Sequence, residues 1–79
     1  MRTRFVSRDT TTVDLKELAA IVGIQVIGEE HMKAYSVLLA LRSGYELSFG
    51  AVEKRDDAVK LAESVKAEWY EFNHAKEVD

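Results

Sequence analysis

The chain is 79 residues long, with 47% hydrophobic and 32% charged residues and neither cysteine nor proline. This length accommodates one hydrophobic core and no second, and the composition is that of a folding chain, not a disordered one. Disulfide staples are excluded, and two histidines without a thiol cannot supply a structural zinc site. A single core of this size yields only about 3–5 kcal/mol, so a partner is the natural supplement.

The formal net charge of -3 and a pI near 5.3 weigh against nucleic acid as the default partner, because phosphate neutralisation needs basic surface. The first twelve residues run the other way, and Arg2, Arg4 and Arg8 against Asp9 form a candidate basic patch. No apolar run approaches the roughly 18 residues of a membrane span, and the basic start lacks the continuous apolar stretch of a signal peptide. A cytoplasmic protein without a membrane partner is the expectation, and the lack of cysteine agrees with that compartment.

Thr3 to Ser7, with Phe5 and Val6 among polar residues, reads as a short strand or arm within residues 1–12, and the three threonines after it read as a turn. Asp14 with Glu17 has capping-box spacing. Leu15, Leu18, Ala19 and Val22 then lie on one helical face, with Gly23 placed as a C-terminal cap, so a short helix over 15–22 is expected. The competing reading is one β segment from Ala19 to Ile27, carried by the β-branched run of Ile21, Val22, Ile24, Val26 and Ile27. In the helical version, Ile24–Ile27 is a strand ended by Gly28, and a polar loop continues through Lys33.

Tyr35, Val37, Leu39 and Leu41 alternate with Ser36, Leu38 and Ala40, and beyond Gly44 Tyr45, Leu47, Phe49 and Ala51 alternate with Glu46, Ser48 and Gly50. A three-residue loop of Arg42, Ser43 and Gly44, with Gly44 at positive φ, pairs Leu41 with Tyr45, Leu39 with Leu47, Val37 with Phe49 and Tyr35 with Ala51. One face of the hairpin then becomes wholly apolar. From Arg55 to about Asn73, Ala58, Leu61, Ala62, Val65, Trp69 and Phe72 form the helical stripe that would cover it, and residues 74–79 are left as a fraying tail.

Few side chains are placed for chemistry. His31 lies beside Glu29 and Glu30 in the loop and His74 near the end, neither with a nucleophile and an orienting acid at useful spacing. The Glu29–His31 cluster lacks the i, i+4 geometry of a helical metal site, and the four glycines form no phosphate-binding motif. No catalytic, metal or cofactor-binding residue is assigned, and an enzyme is not expected. Gly50, inside a strand, reads as a bulge or close-packing position.

The run TTVDLKELAAIVGI resembles the opening helix of helix-turn-helix regulators, where Leu, Glu, Leu, Ala and a following Gly recur in that order. HMKAYSVLLALRSGYELSF would then supply a recognition helix and wing, and the resemblance implies DNA binding. That arrangement requires a supporting helix before Leu15 and a basic recognition surface, where this stretch has only Lys33 and Arg42.

The fold expected is α+β: a small two-layer domain in which an antiparallel sheet of three or four strands is covered by a C-terminal helix, with a short N-terminal helix. The function expected is that of a non-enzymatic accessory or protein–protein interaction module, self-associating as a homodimer or binding another protein, with a DNA-binding regulator as the alternative. Leu38 and Ala40, on the sheet face opposite the helix, and Val59 and Tyr70, on the helix flank, are the candidate interface.

Overall fold

The computed structural model of the chain describes residues 4–8 and 10–78, with backbone alone beyond residue 74. In chain order the elements are β1 (Phe5–Arg8), β2 (Thr11–Asp14), a 3-10 turn (Leu15–Glu17), β3 (Leu18–Ile27), β4 (Ala34–Leu41), β5 (Glu46–Val52) and α1 (Arg55–Val78). The class is α+β: β3, β4 and β5 form an antiparallel sheet in that order, and β1 pairs with β2 in a separate two-stranded sheet.

The helix expected over 15–22 does not form. Asp14 does act as a cap, its side chain accepting from the Lys16 N–H at 3.0 Å, but the helical backbone stops after the 3-10 turn. The chain then enters a ten-residue strand, the competing reading, in which Gly23 lies within β3 and caps nothing. Its register against β4 shifts between Leu18 and Ala20 and again between Ile21 and Gly23. Each bulge inserts one residue and returns the next apolar side chain to the same face, so Leu18, Ile21 and Ile24 all stand opposite core residues, Leu41, Leu39 and Val37. Three-residue apolar spacing, the signature of a helix, is here a strand with two bulges.

The threonine-rich segment is strand β2, not a turn, and β1 with β2 makes a hairpin beside the main sheet instead of a fourth strand within it. Val6 and Val13 pair across that hairpin, and both are buried with Leu15, Leu18, Val37, Leu39, Phe49 and Val65. The β4–β5 hairpin has the anticipated register at Leu39 with Leu47 and Val37 with Phe49, and Gly44 closes the loop at φ +97°. The expected pairing of Tyr35 with Ala51 does not occur, because a bulge at Gly50, at φ +78°, shifts Tyr35 onto Val52. Ser36, buried opposite that bulge, donates its hydroxyl to the Phe49 carbonyl at 3.3 Å.

Helix α1 lays its predicted stripe on the sheet: Ala58 and Val65 are buried, and Leu61, Ala62, Trp69 and Phe72 pack against the core from its margin. Asp56 and Asp57 in the first turn complement the helix dipole. The helix continues to Val78, past the anticipated end near Asn73, since no glycine or proline interrupts its good helix formers.

Candidate interaction groove

Among the described residues, strand β3 is an edge of the sheet, paired only with β4. Its ten residues, LAAIVGIQVI, include no charge and no proline, and Val22 and Val26 are 54% and 55% exposed. Edge strands are usually protected by lysine, proline, bulges or a covering element, because their free N–H and C=O groups template further pairing. The two bulges interrupt the first half of β3, whereas Gly23 to Ile27 pair without irregularity against Leu38 to Ala34 and present a regular outer edge.

Between this strand and α1 runs an open groove of about 510 Å³, formed by Ala19, Ala20, Ile21, Gly23 and Ile24 on one side and Val59, Ala62, Glu63, Lys66 and Trp69 on the other. Its volume has a local cause. Small residues at 19, 20, 23 and 62 stand where large ones would let helix and strand meet flush. Among the described residues, Glu63 and Lys66 are the sole charged groups lining it, and neither is in an ion pair.

The residues singled out from sequence are distributed over separate surfaces. Leu38 lies between Gly23 and Ser48, and Ala40 between Ala20 and Glu46; both are half-buried on the face turned away from Leu39 and Val37. Above that face the Ser48 hydroxyl donates to Gln25 Oε1 at 2.8 Å, reaching across the middle strand. Val59 belongs to the groove, on the helix side of the sheet. Tyr70 is 61% exposed and stacks on His74, with ring centroids 3.7 Å apart, while its carbonyl lies 2.9 Å from His74 Nδ1. The sheet thus separates Leu38 and Ala40 from Val59 and Tyr70.

Of the basic patch, Arg2 lies outside the described residues. Arg4 donates through Nε and Nη2 to the two Asp14 carboxylate oxygens at 2.9 and 2.7 Å, and Arg8 is exposed at the end of β1, close to Gly50. The hydrogen bond from Arg4 holds the Asp14 carboxyl below its ordinary range, and the Lys16 N–H acts in the same direction. Arg42 is also engaged, donating through Nε to the Lys16 carbonyl at 3.0 Å. Among the described residues no three His, Asp or Glu side chains converge on a metal-sized site, and no helix is long and apolar enough to cross a membrane.

The groove-lining positions of β3 are hidden in the sequence by the helical spacing of Leu15, Leu18, Ala19 and Val22; the available signal is the ten-residue stretch without charge. Comparison with protein-family models, curated proteins and solved structures gave no match. The segments that a helix-turn-helix arrangement would use as helices are β3 and β4, so the structural basis of that resemblance is not formed.

Proposed function

We propose that this chain is a non-enzymatic protein–protein interaction module that binds an extended segment by adding it to the outer edge of β3, with alternate side chains of that segment entering the groove beside α1. The observation that carries this reading is the juxtaposition of an uncharged strand edge with an apolar groove. Strand addition uses those two features together: backbone hydrogen bonds supply affinity, and pockets for alternate side chains supply selectivity. The outer face of the sheet is a weaker candidate, since Leu38 and Ala40 are half-buried there among Ser48, Glu46 and Gln25.

The test is selection of random unstructured peptides on the sparsely immobilised chain, with amide chemical-shift mapping of those selected. The expected winners carry apolar residues at alternate positions, shift residues 18–27 and 59–69, and lose binding when the exposed groove residue Ala20 is changed to Arg. Failure to enrich any peptide, or shifts confined to another surface, would overturn the reading.

A further inference from the structure

We infer that the segment occupying this groove is supplied by a second copy of the same chain, docked about a two-fold axis with its α1 antiparallel to the first. The inference rests on the interaction-module reading and identifies its partner. Val59, Glu63, Lys66 and Tyr70 succeed one another at intervals of four, three and four residues and fall within about 60° of each other on a helical wheel, so they form one stripe along the flank of α1. Val59, Glu63 and Lys66 line the groove, and Tyr70 continues the stripe as an exposed ring stacked on His74.

The order of this stripe is self-complementary. A two-fold axis through its midpoint sets Val59 against Tyr70 of the second copy and Glu63 against Lys66 of the second copy, and by symmetry repeats both contacts. A parallel arrangement would set Glu63 against Glu63 and Lys66 against Lys66, which like-charge repulsion opposes. Both charges lack ion-pair partners within the chain, among the described residues, and both stand at the groove that the second helix would close. The same axis brings the uncharged edge of β3 toward its own copy, where antiparallel pairing joins two three-stranded sheets and covers Val22 and Val26. A helix stripe alone falls short of the roughly 800 Å² per partner of a stable interface, and pairing at the β3 edge extends the contact.

Charge exchange tests this directly, because all the substitutions are at exposed positions and only a two-fold interface predicts their mutual rescue. Sedimentation equilibrium of the whole chain should show a dimer. Glu63→Lys alone and Lys66→Glu alone should each weaken it by about tenfold or more, and the double variant E63K/K66E should return to within about threefold of the original. Unchanged far-ultraviolet circular dichroism verifies that each variant folds. A wild-type chain that stays monomeric at 100 micromolar (about the upper end of a useful affinity), or a double variant no tighter than the singles, would overturn the second copy as partner. If peptides are still selected at the β3 groove in that event, the interaction-module reading stands and its occupant is another protein; if neither dimer nor peptide binding is seen, both readings fall.

Discussion

The position a side chain would take at Gly50 is already filled by Leu61: a Cβ there would lie 2.5 Å from Leu61 Cδ2 and 3.0 Å from the Arg8 side chain. Gly50 is also at φ +78°, in the bulge that shifts Tyr35 onto Val52. Backbone strain and a close approach of α1 therefore act at one residue. Gly50→Ala should destabilise by about 1–3 kcal/mol in urea denaturation. In the Leu61→Ala background the steric part disappears while the φ cost remains, so a double-mutant cycle should give a coupling of about 0.5 kcal/mol or more. Strict additivity would mean that the helix does not approach the bulge.

Gly44 separates the two effects, since a Cβ there meets nothing within 4 Å although φ is +97°. Gly44→Val should cost roughly 1–2 kcal/mol from the backbone alone, and Gly44→Asn much less, because asparagine visits left-handed conformations. Ser43→Ala in the same loop should be near neutral. Gly50→Asn, in contrast, should remain as damaging as Gly50→Ala, since Leu61 obstructs either side chain. Equal tolerance of valine and asparagine at Gly44 would contradict the turn geometry.

What the sequence revealed and concealed depends on the range of the forces involved. The β4–β5 hairpin and α1 were legible because strict alternation and a 3.6-residue stripe each point to one face, and burial of that face fixes the register. Residues 15–27 were not. Two bulges in β3 impose a spacing of three on Leu18, Ile21 and Ile24, and local periodicity cannot distinguish that from a helix; pairing with Leu41, Leu39 and Val37 decides it, and those partners lie well along the chain. The Thr11–Asp14 strand escaped for a related reason, since Val13 is its one buried residue and its partner Val6 is across a turn. The groove-lining residues divide the same way: Val59 is legible from the helical wheel, while Ala19, Ala20 and Gly23 are recognisable only with β3 in place.

The Arg4–Asp14 pair gives a pH dependence whose sign is fixed. The folded carboxyl titrates below its ordinary value, so in the interval between the two values the unfolded chain binds more protons, and stability rises with pH. The contribution of Asp14 is fully present above the ordinary aspartate range of about 3.9 and is lost as the pH falls through the lowered folded value. Asp14→Asn should therefore reduce stability at neutral pH and flatten the acid limb of a stability–pH curve, bringing variant and wild type together at the lowest pH. Arg4 is exposed and Asp14 only half-buried, which makes the effect modest and sensitive to salt. A difference between the curves that stays constant from neutral to strongly acid pH would show that the pair does not titrate as described.

Phe49 and Trp69 belong to one apolar assembly but should respond differently to truncation. Phe49 is 1% exposed, buried in the core cluster from strand β5, and Phe49→Ala should cost about 3–5 kcal/mol, comparable to the whole stability of so small a domain. Trp69 stands at the margin, half-buried in the groove wall, so Trp69→Ala should cost less and leave a folded chain with an enlarged groove. As the sole tryptophan, Trp69 also reports on the groove without any label. Filling the groove removes water from the indole, so its emission should move to shorter wavelength as the protein concentration rises through the dimer range, and this shift should be weakened by Glu63→Lys and recovered in E63K/K66E. Emission independent of concentration while sedimentation shows a dimer would place the dimer contact elsewhere on the molecule.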